Sequence, residues 1–230
     1  MRGMWKRSYG RATKGTARRK GRQQTCPAYC HRATSRLYQS ISAYGIGGDR
    51  LLPLGVDRRY LLKQGWAVTS IWSDHLMHPT APEIMRCSLR LLPRTTGSRR
   101  IALWRQKNAG RWLENWDDIA PVLARAKYDI VDIAGLDFVD QARTFSEADS
   151  VFSTLGSGLT GLIYSPAGVA VTSVAPALFE DRFFYALVVD RRGRYADVRG
   201  PIQKADPMIP HRGSFTIEPE RVADALAIFC

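Results

Sequence analysis

The chain has 230 residues, 45% of them hydrophobic, four cysteines and a formal net charge of +13. A chain of this length is expected to form one large domain, or one and a half, and it holds no apolar run of about eighteen residues that would span a membrane. Four cysteines (Cys26, Cys30, Cys87 and Cys230) in so long a chain do not make a disulfide framework, so a reducing cytoplasmic location is the simplest expectation.

The charge is unevenly spread. Residues 1–40 hold eleven Lys and Arg and no Asp or Glu, whereas the other 190 residues hold 23 basic and 21 acidic side chains. The basicity belongs to a tail and the body is nearly neutral. Residues 1–25 are rich in Arg, Lys, Gly, Ser and Gln and poor in large aliphatics, so they cannot bury enough surface to offset their ordering entropy. The division expected is a basic, disordered tail over residues 1–32 and a single α/β domain over 33–230. The tail's charge suits an acidic lipid or a nucleic acid, and it equally suits a solvated extension. It lacks the apolar stretch of a secretory leader. Cys26-Pro-Ala-Tyr-Cys30-His31 has no second ligand pair at finger-like spacing and does not read as a zinc site.

Leu37, Ile41 and Tyr44 recur at helical spacing, and Gly45 and Gly47-Gly48 end that helix. Leu51 to Val56 and Ala67 to Trp72 read as short strands. Ser73 to Pro79, with His75 and His78, reads as a polar loop, and Ala81 to Leu92 as a helix stopped by Pro93. From here the pattern is regular. Arg99 to Arg105 is a buried strand flanked by arginines, and Trp116 to Ala126 is a helix with Asn115 as its N-cap. Tyr128 to Ile133 is a strand, and Phe138 to Ala148 is a helix capped by Asp137. Ser150 to Ser153 is a strand that runs into the turn Gly156-Ser157-Gly158. A short helix (Leu159 to Tyr164), the stop Pro166-Ala-Gly168 and a strand (Val169 to Val174) follow. Phe183 to Val189 and Tyr195 to Val198 read as strands about the turn Asp190-Arg-Arg-Gly193, and Pro219 to Phe229 closes the chain as a helix. Strands alternating with helices of about ten residues imply a Rossmann-like parallel sheet with helices on both faces.

In such sheets ligands bind at the carboxyl ends of the strands. Arg105, Lys107 and Arg111 fall there on this reading, and so does the glycine turn. Guanidinium groups pair phosphate oxygens bidentately, and a helix N-terminus presents N–H groups to an anion, so the combination suits a diphosphate. The glycines serve a tight packed connection equally well. Gly156-Ser-Gly158-Leu-Thr-Gly161 spells the dinucleotide fingerprint G-x-G-x-x-G. However, its helix is short, and the following strand ends at Pro176 with no carboxylate, which argues against a nicotinamide or flavin site.

Five ordered blocks resemble the C-terminal half of glycosyltransferase family 61. They are Arg99-Arg-Ile-Ala-Leu-Trp-Arg105, Arg111-Trp-Leu-Glu-Asn115, Gln141 with Phe145-Ser-Glu-Ala148, Leu155-Gly-Ser-Gly-Leu-Thr160, and Pro166-Ala-Gly168. The resemblance runs over about Leu37 to Pro201. It implies a GT-B-type, inverting transferase that takes a nucleotide sugar, commonly a uridine diphosphate sugar, and a glycan acceptor, in bacteria often for capsular or other polysaccharide synthesis. It implies no metal and no further cofactor. Carried over by position, the donor diphosphate falls to Arg105, Arg111, Gly156, Ser157, Gly158, Leu159 and Thr160, with Asn115 and Ser173 in support.

The family pattern differs at three positions. Leu155 stands where the family has histidine before the glycine loop, Ser173 where it has a ribose-holding glutamate, and Trp112 where it has the second arginine of a pair. Family enzymes also carry an N-terminal domain that usually supplies the general base, and the basic tail stands in that place here. The catalytic residues are therefore open, with Asp74 and His75 as candidates by polarity and loop position. Three readings follow: a transferase or its truncated donor-binding half, an inactive remnant of one, or a nucleic-acid-binding protein that acts through its tail.

Overall fold

A computed structural model of the chain describes residues 39–46, 61, 72–73, 76–78, 80–88, 97–106, 110–206, 208–209 and 213–229. The basic tail, the Cys26–Cys30 stretch, the strand expected over Leu51 to Val56, most of that over Ala67 to Trp72, and the loop residues Asp74, His75 and Lys107 lie outside the described residues.

Helical residues 39–43 (α1) come first. The stretch expected to be a polar loop contains a small antiparallel pair, β1 (Trp72–Ser73) with β2 (Leu76–Met77). Then come α2 (Thr80–Ser88), β3 (Arg99–Leu103), α3 (Trp116–Arg125), β4 (Asp129–Val131) and α4 (Phe138–Ser146). They are followed by β5 (Ala148–Thr154), a 3-10 helix (Ser157–Tyr164), β6 (Ala170–Pro176), α5 (Phe183–Asp190) and β7 (Arg194–Gly200). A second antiparallel pair, β8 (Ile202–Lys204) with β9 (Ser214–Phe215), precedes α6 (Pro219–Ala227). Among the described residues no helix is long and apolar enough to cross a membrane.

Five strands form one sheet in the order β4-β3-β5-β6-β7, and every neighbouring pair is parallel. The chain steps outward from β3 to β4, then back past β3 to β5, and continues in that direction to β7. Crossovers between parallel strands are right-handed, so a reversal of direction puts the connecting helices on opposite faces. The two apolar clusters follow this rule. One packs Ile101, Val151 and Val171 of the sheet against Phe145 of α4, Leu159 and Leu162 of the 3-10 helix, and Leu187 of α5. The other packs Ala102, Phe152 and Val174 against Ile119 and Leu123 of α3 and Val222 and Leu226 of α6. The central strands are buried on both faces, with all seven residues of β6 inside.

Two local expectations are corrected. Phe183 to Val189 is helix α5 and not a strand, because β6 and β7 are parallel and need a crossover between them. Asn115 occupies the N-cap position of α3, but its side chain makes no capping bond. Its amide clasps the C-terminal region instead, with Nδ2 donating to the Ile217 carbonyl (2.8 Å) and Oδ1 accepting from the Ile217 N–H (3.2 Å). Asp137 does cap α4, accepting from the Asp140 N–H at 2.8 Å.

Candidate functional site

The point where the strand order reverses lies between β3 and β5. There the loops leaving neighbouring strands run to opposite faces and open a crevice at the carboxyl edge. A cavity of about 440 Å³ occupies this place, within the roughly 300–1,000 Å³ common for small-molecule sites. Its walls come from the ends of three strands. Trp104 and Arg105 follow β3, Asp132 and Ile133 follow β4, and Ser157, Gly158 and Thr160 follow β5.

Beside the cavity two cations meet. Arg105 leaves β3 and lines the wall, Arg111 comes from the loop before α3, and both reach Gly156, which with Arg111 stands just behind the lining. A Cβ placed on Gly156 would stand 2.6 Å from Nη2 of Arg111 and 3.2 Å from Nη1 of Arg105. A side chain here would have to push the two guanidinium groups, the far ends of flexible side chains, out of the space they now share. The two arginines are held differently. Arg111 has a left-handed backbone (φ 61°), donates from Nε to the Leu155 carbonyl at 2.9 Å, and lies with Cζ 4.3 Å over the Phe179 ring. Arg105 is half-buried and, among the described residues, has no hydrogen-bond or ion-pair partner; burial pulls its guanidinium below its ordinary value. Arginine stays charged even so. Two cations converging on one glycine repel each other, and an anion between them relieves both the repulsion and the desolvation.

One end of the cavity itself is aromatic. Phe138 and Tyr164 line it, and Tyr44 from beyond α1 packs on Phe138 (ring centroids 5.9 Å apart) while its hydroxyl hydrogen-bonds that of Tyr164. Burial, and then the bond with Tyr44, pushes the Tyr164 hydroxyl far above the usual tyrosine range, so it stays protonated. Among the described residues Asp132 is the one carboxylate on the cavity wall, and it is exposed. Its Oδ1 accepts from the Ala134 N–H at 3.1 Å, which folds the loop back at the strand end.

The structure brings together Arg105, Arg111, Gly156, Ser157, Gly158 and Thr160. Leu159, also carried over from the resemblance, is fully buried in the core beneath them. Gly158 has room, since a Cβ there would stand 3.7 Å from Leu103 and 3.8 Å from Ile133. The helix opened by the turn is 3-10 and begins at Ser157, two residues earlier than the spacing suggests. Asn115 and Ser173 do not reach the cavity wall. Ser173 sits in the middle of β6, fully buried, donating to Oδ1 of Asp197 (2.8 Å) and bonded to the Tyr195 hydroxyl (2.7 Å). Asp197 pairs with Arg199 (2.7 Å), and Arg199 donates to the carbonyl of Phe179, the ring under Arg111. Ser173 thus stands behind the arginine end at several removes. Asp74 and His75 lie outside the described residues. Sequence reasoning missed Asp132 and the aromatic end. Asp132 directly follows a strand read as running on to Ile133, so its place at a strand end was hidden by one misplaced boundary.

Among the described residues no three His, Cys, Asp or Glu side chains cluster as metal ligands would. The family model described as Glycosyltransferase 61 matches residues 24–172, a span that takes in β3, both arginines, α4, β5 and the glycine turn. No curated protein matches the chain.

Proposed function

The chain belongs to glycosyltransferase family 61, and we propose that its cavity holds a nucleotide-sugar donor, with the diphosphate between Arg105, Arg111 and the turn Gly156-Ser157-Gly158. What supports this is the approach of both guanidinium groups to Gly156 at the point of strand reversal. The arginines carry most of the charge stabilisation, because a helix N-terminus contributes only about 0.3–1 kcal/mol. The reaction proposed is a single displacement. An acceptor hydroxyl oxygen forms a bond to the anomeric carbon as the bond from that carbon to the diphosphate oxygen breaks. The configuration inverts, the hydroxyl proton passes to a carboxylate base, a role open to Asp132 on the cavity wall, and the electron pair leaves with the diphosphate, where Arg105 and Arg111 meet the growing charge. Asp132 offers a carboxylate to a hydroxyl of the donor or acceptor. The donor is a uridine diphosphate sugar, and the product is an extended glycan or polysaccharide.

Calorimetry of the full chain with UDP and a panel of UDP-sugars tests the donor site, with saturable micromolar-to-millimolar binding expected. No heat of binding at millimolar ligand overturns it. An NMR assignment of the product's anomeric configuration tests inversion, and retention would exclude a single displacement.

A further inference from the structure

The loop joining β4 to α4, residues 132–137, is largely exposed, and its first three residues, Asp132, Ile133 and Ala134, line the cavity. One side chain ties it down from beneath. Gln141, one turn into α4 and half-buried, donates from Nε2 to the Ile133 carbonyl at 2.8 Å and to the Leu136 carbonyl at 3.1 Å. Both partners accept, so both must be met by the amide's NH2 group, whose two hydrogens are thereby used. The carbonyls bracket the turn that Asp132 begins. Within it the Gly135 N–H donates to the Asp132 carbonyl (3.1 Å), and the Ala134 N–H donates to the Asp132 carboxylate. Gln141 itself lines the cavity beside Phe138. One residue therefore fixes the loop backbone, the carboxylate at its start and the neighbouring aromatic wall relative to one another.

We propose that Gln141 is a positioning residue for the nucleoside portion of the donor, holding the wall formed by residues 132–134 in place relative to the arginines. The proposal rests on the nucleotide-sugar reading above and adds a division of labour to it. The arginine end takes the diphosphate whatever is attached, and the Gln141-held wall tells a nucleoside diphosphate from a bare one. A glutamate at 141 keeps the size but turns two donors into acceptors facing two carbonyls, so the loop is pushed off its seat. An alanine simply releases it.

The test compares two probes on the full chain, UDP and inorganic pyrophosphate, by calorimetry on the wild type, Gln141→Glu and Gln141→Ala. In both variants UDP is expected to weaken by about tenfold, the scale of one or two lost ordered contacts, while pyrophosphate holds within about twofold. Hydrogen exchange is expected to speed at the amides of residues 134–137 and stay unchanged in α3 and α6, which separates a loosened loop from an unfolded protein. If Gln141→Glu does not fold, Gln141→Ala carries the comparison. Equal loss of both probes, or no loss of either, overturns the role of Gln141 and leaves the donor site standing. A wild type that binds pyrophosphate but gains nothing from the nucleoside also overturns it. A wild type that binds neither probe overturns the nucleotide-sugar reading, and the role of Gln141 with it.

Discussion

The two ends of the cavity are built on different principles. At the arginine end the groups proposed to bind are charged side chains, and the backbone leaves them room: Gly156 carries no side chain to displace them, and Arg111 reaches the spot from a left-handed backbone. At the other end the proposed recognition surface is a loop and two rings, and a side chain, Gln141, holds the backbone in place. An anion has no preferred edge and is met by charge brought close. A neutral, shaped group is met by a wall that has to stay where it is. Substitutions at the first end should therefore act on any diphosphate, and those at the second on its cargo.

The most severe way to break this contrast is Gly156→Val. Its side chain would claim the space of both guanidinium groups, so UDP and pyrophosphate binding should each fall by about a hundredfold or more, roughly 2.7 kcal/mol. Gly158→Ala, whose added methyl would meet only ordinary van der Waals contacts, should bind both almost as the wild type does. Calorimetry on the pair decides whether closeness to the arginines, or the glycine spelling itself, is what matters.

Arg105→Ala should follow, with both ligands weakened by about 10- to 100-fold for the loss of a charge-assisted contact of roughly 1.5–3 kcal/mol. The deficit should shrink as salt is raised. Arg105→Lys should recover only part of it, since a point charge does not reproduce the planar fork. Full recovery by lysine would show that the site reads charge without geometry.

Asn115→Ala sharpens the contrast from outside the cavity. The loss of both hydrogen bonds to Ile217 should cost about 1–3 kcal/mol of stability, visible in denaturant unfolding, with no change in ligand affinity in the folded protein. A selective loss of UDP affinity would place Asn115 back at the donor.

The smallest effect concerns the supports behind Arg111. Burial holds the Tyr195 hydroxyl up at about 12, above its ordinary value of 10.0. The folded state thus keeps a proton that the unfolded chain gives up. The stability this represents is complete below pH 10 and is lost as the pH rises from about 10 to about 12. Tyr195→Phe should flatten that alkaline limb of the unfolding curve, and an unchanged limb would discount the burial of this hydroxyl.

The alternation of strand and helix from Arg99 to Val174 was legible because each element there is either buried on both faces or striped on one, and the glycine turn punctuates it. The parallel sheet and the meeting of Arg105, Arg111 and Gly156 at its carboxyl edge follow from that pattern plus the handedness of crossovers. Helix α5 was not legible. Phe183-Phe-Tyr-Ala-Leu-Val-Val189 is apolar throughout, and the exposed Tyr185 and Val189 fill in the polar gaps that would have revealed the spacing of its buried Phe184, Leu187 and Val188. Asn115 misled for another reason. An asparagine before a helix is the ordinary cap, and only the tertiary fold brings the Ile217 backbone within its reach. The aromatic end was illegible because Tyr44, Phe138 and Tyr164 are far apart in sequence and share no local signature.

Arg111 is fastened at its Nε and by its guanidinium lying over the Phe179 ring, whereas Arg105 has no comparable tether among the described residues. If the proposed reaction holds, one cation would stay put as a fixed post while the other swings, so that the spent nucleotide would depart past Arg105. Side-chain relaxation of the two Nε groups by NMR would register this as a quiet Arg111 and a restless Arg105 whose motion is stilled by UDP. Equal rigidity in the free protein would remove the gate.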